Sequence, residues 1–326
     1  MRKKLQIIWI DDNPGRAEGA TTMAQLLKAK VEFKDIKDKD LVKVLDAMIA
    51  KQEPDLIIID HNLEDADSGI FKKGSTAAAY IREVWPECPI ICVSAVEIGQ
   101  VDTQQKNLYE AFISIEEISD HYNQIKSIAM AYRLAKESRP RTINEILNLL
   151  DAPEIDRIKL ASIMPTQLKE NLEDTSIIVE IARWVNGTLL QRPGFIYDNL
   201  RVGTLLGLNC DGFEKIKKRF KSAKYTGLFE NDSHEKWWKS QVLITLSELT
   251  DASGLPWEIG RTLKGLTEDD FSRCYASDED YPETVAFVDQ SKTANEEAMK
   301  LKYTTVHPDF ESLLYFDDIR LMKPAE

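Results

Sequence analysis

The sequence predicts an α/β fold, a five-stranded doubly wound parallel sheet, followed by a mainly α-helical domain. Two features of the chain carry this prediction. Residues 4 to about 136 alternate short apolar runs with amphipathic stretches, which is typical of a parallel sheet with helices on both faces. Beyond residue 141, apolar residues recur at spacings of three and four, and β-branched runs almost disappear, which favours helices.

The central predicted strand ends abruptly on a carboxylate. Residues 56–59 are all apolar, which is typical of a strand buried on both faces of a parallel sheet, and Asp60 follows at its carboxyl end. In open α/β sheets ligands bind at that edge. The first apolar run, residues 5–10, ends on Asp11 and Asp12. We therefore expect three carboxylates from two strands to converge.

Five βα units account for the first part of the chain. The predicted strands are Gln6–Ile10, Val31–Asp35, Leu56–Asp60, Ile90–Ser94 and Ala111–Ser114. The predicted helices are Gly15–Ala29, Leu41–Ala50, Ser75–Val84, Thr103–Tyr109 and Glu116–Ala135. Residues 137–141, with Pro140, form the predicted linker.

The second part of the chain reads as helical. The predicted helices are Ile143–Leu150, Glu154–Ile163, Gln167–Asn171, Ile177–Leu190, Phe195–Leu206, Gly212–Ala223, Glu235–Leu249 and Trp257–Lys264. Residues 284–288 and 303–306 could be short strands. We place one domain at residues 1–138 and a second at residues 139–326, whose output or interaction role has no recognisable type.

Length and composition bound the class of protein. A chain of 326 residues favours two domains, and 43% hydrophobic with 30% charged residues describes an ordinary globular protein. No apolar run approaches the roughly 18 residues of a membrane span, and we expect a cytoplasmic location. Four cysteines without a CxxC pair predict reduced thiols. A formal net charge of -13 argues against nucleic-acid binding.

The first part of the chain resembles the receiver domain of two-component response regulators, which has a flavodoxin-like fold. The residues that carry the resemblance are Asp11 and Asp12 after the first strand, Asp60 after the third, Ser94 after the fourth, and Pro54, Asp55 and Gly69 around the central strand. The resemblance covers roughly the first two fifths of the chain. It implies a phosphoprotein of bacterial signal transduction, a phosphoacceptor rather than a turnover enzyme.

The resemblance also implies roles for individual residues. Asp60 would accept a phosphoryl group from a sensor histidine kinase or a phosphotransfer protein, and Ser94 would bond to the phosphoryl oxygens. Asp11, Asp12, Asp60 and the main-chain carbonyl of Asn62 would hold Mg²⁺. The residue chemistry points the same way, because magnesium prefers oxygen ligands and three unneutralised carboxylates would repel one another.

One departure from the family concerns a cation. The family places a lysine just after the fifth strand, where this chain has Ile115 or Glu116. The long loop after Asp60 carries Lys72 and Lys73, either of which could substitute, or both could be solvated loop charges. Phe112 could match an aromatic residue that turns inward on phosphorylation, or could be an ordinary core residue.

The function that this sequence predicts is a response-regulator-like signalling protein. The receiver would pass its signal to a helical C-terminal module that binds a protein partner or itself. Two alternatives remain open: a phosphorylation-independent pseudo-receiver scaffold, which the absent lysine favours, and an unrecognised enzyme in the C-terminal half. The cationic stretch Glu214–Lys224 could bind phosphate or acidic groups, or could be a solvated helix face.

Overall fold

A computed structural model describes residues 4–64, 66, 73–95, 107–174, 176–192, 194–230 and 234–272, together with two short strands near the C-terminus. Its main sheet has five parallel strands in the order β2-β1-β3-β4-β5. These strands are β1 Gln6–Asp11, β2 Lys30–Asp35, β3 Leu56–Asp60, β4 Ile90–Ser94 and β5 Ala111–Ser114. All five predicted strands are therefore confirmed, each within one residue.

Helices flank the sheet where the sequence places them. They are α1 Ala17–Leu27, α2 Leu41–Ile49, α3 Gly74–Val84 and α4 Tyr122–Ser138. Residues 103–106 of the predicted fourth helix lie outside the described residues, and residues 107–109 are not helical. A 3₁₀ turn, Ile115–Glu117, follows β5 before α4 begins.

The side chains of the central strands alternate between two buried layers. Ile8 and Ile10 of β1 join Ile57 and Ile59 of β3 in one apolar cluster, to which α2 and α3 contribute Leu41, Leu45, Met48, Ala77, Ala78 and Ile81. The other face carries Trp9, which is 1% exposed. Because successive strand residues point to opposite faces, an all-apolar strand such as β3 requires cover on both sides.

The second part of the described chain is mainly helical. Its helices are α5 Ile143–Leu149, α6 Glu154–Ile163, α7 Thr166–Glu170, α8 Ile177–Trp184, α9 Asn199–Leu205, α10 Cys210–Ile216, α11 Lys239–Leu249 and α12 Pro256–Arg261. A π-helical turn, Val185–Leu189, extends α8, and a 3₁₀ segment, Lys217–Ala223, extends α10.

Two predicted helices begin instead as strands. β6, Ile196–Asp198, and β7, Lys236–Trp238, pair antiparallel, with Tyr197 opposite Trp237, and α9 and α11 follow them directly. Bulky aromatic residues stabilise such a pair through cross-strand contacts. Three residues are too few to show the period of two that identifies a strand in sequence.

Two short strands lie nearer the C-terminus. β8, Val285–Ala286, falls within the predicted strand 284–288 and pairs with β9, Ala298–Met299. The predicted strand 303–306 lies outside the described residues.

The chain divides into two compact units that are not contiguous in sequence. The first contains residues 1–149, 164–184 and 228–233, and the second contains residues 150–163, 185–227 and 234–326. Within the first unit, α8 packs against α4. The division into domains at residue 138 stays a prediction about independent folding. Within the described part of the chain, no helix combines the length and the apolar character needed to cross a membrane.

Candidate functional site

The carboxyl ends of β1 and β3 bring two aspartates side by side. Ile10 pairs with Ile59 in the parallel register, so the next residues, Asp11 and Asp60, end neighbouring strands. Asp60 in turn pairs with Val93, which places Ser94 one residue further along β4. The convergence expected from the sequence follows from this register.

Asp11 is fully buried, and protein donors occupy both of its oxygens. The main-chain N–H of Asn13 donates to Oδ1 at 2.9 Å. The indole Nε1 of Trp9 and the guanidinium Nη1 of Arg16 donate to Oδ2 at 3.2 Å and 2.8 Å. These bonds satisfy a carboxylate that burial would otherwise leave strongly destabilised.

Arg16 also reaches the second aspartate. The same Nη1 atom lies 3.2 Å from Oδ1 of Asp60, so one guanidinium nitrogen bridges the ends of two strands. A tight turn orients the side chain of Arg16 toward the strand ends. The side chain of Asn13 accepts a hydrogen bond from the N–H of Gly15, and residues 14–16 form a 3₁₀ turn before α1. Asparagine as N-cap and proline at the first position are typical of such a helix start.

A third carboxylate completes the cluster. Oxygens of Asp11, Asp12 and Asp60 all lie within 4.8 Å of one another. A cavity of about 460 Å³ opens beside them. Its lining residues are Asp12, Asn13, Pro14, Arg16, Lys37, Asp60, Asn62, Glu64, Ser94 and Ala95. Four of the predicted site residues thus line one cavity: Asp12, Asp60, Asn62 and Ser94. Asp11 is not among the lining residues, but it contacts Arg16, which is.

Burial dominates the electrostatics of the aspartates. Loss of solvation, together with the neighbouring charge of Asp11, raises the pKa of Asp60 to about 6, although Arg16 acts in the opposite direction. Burial likewise raises the pKa of Asp11. For Arg16, burial disfavours the charged form, but the bonds and charges of the two aspartates outweigh it, and the pKa of the guanidinium is raised. The pair of aspartates therefore depends on a nearby cation to stay ionised.

The start of helix α3 is built against the end of β3. The main-chain N–H of Gly74 donates to the carbonyl of His61 at 2.8 Å. A Cβ atom on Gly74 would lie 2.0 Å from the main-chain oxygen of Asp60, so glycine is required there. The preceding residue, Lys73, donates from Nζ to the side-chain oxygen of Asn62 at 2.6 Å. The ammonium of Lys73 thus binds a cavity-lining amide, and Lys72 lies outside the described residues.

The end of β5 carries no cation among its described residues. Ser114 pairs with Ser94 of β4, and the 3₁₀ turn that follows consists of Ile115, Glu116 and Glu117. Within β5, the ring of Phe112 contacts His61 edge-on with centroids 5.9 Å apart. Phe112 is half-buried and packs against the apolar cluster of β1 and β3, as expected for a core residue.

Sequence reasoning missed two residues of this site. The helical pattern from residue 15 includes Arg16 and gives it no role in the site, although the sequence Asn13-Pro14-Gly15 signals a turn that could return the next side chain toward the strand end. Gly74 cannot be identified from sequence, because a close backbone approach has no signature beyond the glycine itself. The structure brings the four predicted side chains, those of Asp11, Asp12, Asp60 and Ser94, to one sheet edge.

Several lysines of the cationic stretch Glu214–Lys224, in the second unit, form ion pairs with carboxylates. Lys217 and Lys224 both pair with Glu235, at 2.8 Å and 2.7 Å, and Lys215 pairs with Asp270 at 2.6 Å. These ion pairs favour a solvated helix face, one of the two interpretations of this stretch, because the neutralised lysines present less charge to a phosphate.

The comparisons with known proteins concern the N-terminal part of the chain. No protein-family model matches the chain, and no curated protein matches it. Among solved structures, it is similar to a CheY-like response regulator receiver domain from Methylobacillus flagellatus, with 17% identity, 39% of this chain and 99% of that chain covered, and a TM-score of 0.32.

Two further solved structures are similar. One is a two-component response regulator from Clostridium difficile, with 17% identity, 39% of this chain and 97% of that chain covered, and a TM-score of 0.33. The other is response regulator protein TrrA from Thermotoga maritima in complex with Mg²⁺-BeF, with 16% identity, 37% and 98% covered, and a TM-score of 0.30. The five parallel strands of this chain, in the order β2-β1-β3-β4-β5 with helices between them, form a flavodoxin-like fold.

Proposed function

We propose that this protein is a response-regulator-like phosphoacceptor, in which the carboxylate of Asp60 accepts a phosphoryl group. The observation that carries the proposal is the convergence of three carboxylates, from Asp11, Asp12 and Asp60, within 4.8 Å at a cavity that Ser94 also lines. Structural carboxylates at strand ends are common, but three beside an open cavity are suited to binding a cation and a phosphoryl group.

The donor atoms at this site suit Mg²⁺. They are carboxylate oxygens from Asp11, Asp12 and Asp60. The main-chain carbonyl of Asn62, a residue that lines the cavity, would be a fourth ligand, and the cavity leaves space for water. Magnesium keeps several waters and takes few protein ligands, so a cluster of this size is sufficient. When bound, the ion would neutralise charge on the carboxylates and on the phosphoryl oxygens.

The chain's own residues then supply the nucleophile and its surroundings. An oxygen of Asp60 attacks phosphorus as the P–N bond to the donor's phosphohistidine breaks, and the leaving imidazole keeps the electron pair and takes up a proton. Asp60 is only 6% exposed, which limits access of water to the acyl phosphate. Ser94 lines the same cavity, and its hydroxyl would donate to a phosphoryl oxygen. Positioning and charge neutralisation are the main sources of catalysis in such transfers.

The partners follow from this chemistry. The donor would be a sensor histidine kinase or a phosphotransfer protein, and the signal would pass to a helical C-terminal module that binds another protein or a second copy of this chain. Helix α6 of the second unit supports an interaction role, because Ile155 and Ile158 are 62% and 86% exposed. Large apolar side chains at such exposure are typical of binding surfaces when they are adjacent.

The acceptor role can be tested with a small phosphodonor. The full chain is incubated with acetyl phosphate and Mg²⁺, and the intact mass is measured before and after treatment with hydroxylamine, which cleaves acyl phosphates. We expect the mass of one added phosphoryl group, which disappears with hydroxylamine, with EDTA and in Asp60→Asn. Asp55→Asn is the matched control, because Asp55 lies at the opposite end of β3, where it accepts from Arg133.

The same experiment separates the scaffold alternative. A phosphorylation-independent scaffold would gain no mass in any condition, with a histidine kinase as donor as well as with acetyl phosphate. Transmission to the second unit is measured by hydrogen exchange with and without beryllofluoride, with Asp60→Asn as control. We expect altered exchange in residues 150–163, 185–227 and 234–272, which belong to the second unit, and unchanged exchange there would contradict an output role for this unit.

A further inference from the structure

The guanidinium of Arg16 contacts two of the three carboxylates that are proposed to hold Mg²⁺. One guanidinium nitrogen lies 2.8 Å from Oδ2 of Asp11 and 3.2 Å from Oδ1 of Asp60. Both carboxyl groups belong to the cluster suited to a divalent cation. A positive charge supplied by the chain therefore already neutralises two of the three proposed metal ligands.

The arrangement around Asp11 makes these two cations alternatives. Its Oδ1 accepts from the main chain of Asn13, and its Oδ2 accepts from Trp9 as well as from Arg16. A metal ion drawn toward the Asp11 and Asp60 oxygens would come within a few ångströms of the guanidinium, and two cations so close repel each other. Binding of the ion thus requires the guanidinium to move.

The anchoring of Arg16 permits that movement. The residue lies on the short turn before α1, and its side chain is 17% exposed and lines the cavity. The turn itself is fixed by main-chain and asparagine bonds, such as that from the N–H of Arg16 to the carbonyl of Asn13 at 3.1 Å. Rotation of the side chain can therefore carry the guanidinium into the cavity while the backbone stays in place.

We propose that Arg16 is a resident counter-ion that Mg²⁺ must displace from Asp11 and Asp60, so that metal binding at this site is an exchange of one cation for another. This inference rests on the proposed function, since it concerns the same carboxylates. The resident guanidinium stabilises the metal-free protein and lowers the affinity of the protein for Mg²⁺. Access of a phosphodonor to Asp60 then depends on the concentration of Mg²⁺.

The exchange has two consequences that can be measured without phosphorylation. Removing the guanidinium leaves the carboxylates without their counter-ion, so Arg16→Gln should bind Mg²⁺ roughly tenfold or more tightly than the wild type. The same variant should unfold at a lower temperature in EDTA, and Mg²⁺ should restore more of its stability than it adds to the wild type.

The experiment is a calorimetric titration of the full chain with MgCl₂. Wild type is compared with Arg16→Gln, with Arg16→Lys, which retains the charge, and with Lys37→Gln, which removes a charge from another part of the cavity lining. We expect Arg16→Gln to bind Mg²⁺ most tightly, and Arg16→Lys to bind it at least as tightly as the wild type. The affinity of Lys37→Gln should change less than that of Arg16→Gln. An affinity of Arg16→Gln equal to or weaker than that of the wild type overturns the exchange.

A second measurement uses the unaltered protein, so it does not depend on how the variant folds. Side-chain Nε–H signals of arginine are recorded by NMR with increasing Mg²⁺, and Arg16→Lys identifies the signal of Arg16. The exchange requires that signal to move as the metal binds, and a signal that stays in place at saturation overturns it. If wild type and Arg16→Gln both fail to bind Mg²⁺, the proposed metal site fails as well. If both bind equally and Asp60 still gains a phosphoryl group, only the exchange fails.

Discussion

The first residue of α3, Gly74, approaches Asp60 so closely that a Cβ atom on Gly74 would lie 2.0 Å from the main-chain oxygen of Asp60. We expect Gly74→Ala to push α3 away from β3 and to destabilise the protein by about 1–3 kcal/mol, as overpacking does. The free energy of unfolding in urea measures the effect.

The control for that substitution is Gly187→Ala. Gly187 lies in the π-helical turn after α8, and a Cβ atom there would meet nothing within 4 Å. We expect this change to be neutral or stabilising, because alanine costs less backbone entropy than glycine in a helix. A loss at residue 187 as large as at residue 74 would contradict the steric explanation.

Asp60→Asn should stabilise the metal-free protein at neutral pH. In the unfolded chain this carboxyl ionises near its ordinary pKa of 3.8, and in the folded protein at about 6. Between these two pH values the folded state binds more protons than the unfolded state, so the free energy of unfolding falls as the pH rises. This loss of stability is complete above pH 6. Asparagine does not titrate, and we expect a gain of about 1–3 kcal/mol at pH 7.5.

The pH dependence provides the check on this prediction. Urea denaturation in EDTA is followed at pH 4 and pH 7.5 for both proteins. The advantage of Asp60→Asn should be present at pH 7.5 and nearly absent at pH 4, where the wild-type carboxyl is protonated in the folded state. An advantage of equal size at both pH values would show that burial of the charge is not its cause.

Glu110 should matter more to stability than its position before β5 suggests. Its side chain is 5% exposed and pairs with Arg82 and with Arg183 of α8, at 3.2 Å from Nε of Arg183. Glu110→Gln leaves two guanidinium groups facing a neutral amide. We expect the free energy of unfolding to fall by about 2–4 kcal/mol, since breaking a buried ion pair leaves a buried charge without compensation.

Glu235→Gln is the matched comparison, because this glutamate also pairs with two cations, Lys217 and Lys224. Its side chain is 35% exposed, and we expect a loss below about 1 kcal/mol that shrinks further in high salt. Thermal unfolding of both variants at low and high salt measures the contrast. Equal losses would contradict the role given to burial.

Lys73→Ala should leave the acyl phosphate of Asp60 nearly unchanged in lifetime. The ammonium of Lys73 donates to the amide oxygen of Asn62, whereas Arg16 contacts Asp60 itself. Decay of the phosphorylated protein is followed by intact mass, with Lys39→Ala as the control for a change of charge. A lifetime altered tenfold would instead support Lys73 as the substitute for the lysine that the fifth strand lacks.

The sheet and its carboxylates could be predicted from sequence because they depend on local pattern. Buried parallel strands are continuous apolar runs, and Asp60 is conspicuous as the first polar residue after one of them. The contact of Arg16 with the aspartates depends on the direction in which a turn orients a flexible side chain. The pattern of apolar and polar residues does not encode that direction. The link between Glu110 and Arg183 joins residues 73 positions apart, and no period in the sequence relates them.

The path of the chain between its compact units limits how this protein could arise or be rebuilt. The polypeptide leaves the first unit after residue 149, returns to it for residues 164–184, and returns once more for residues 228–233. Modular signalling proteins are shuffled by joining coding segments at a single junction. Here one junction cannot exchange the second unit for another, because α8, which packs on α4, would be exchanged with it. Residues 164–184 and 228–233 must therefore stay with residues 1–149 in any chimaera that keeps the first unit intact.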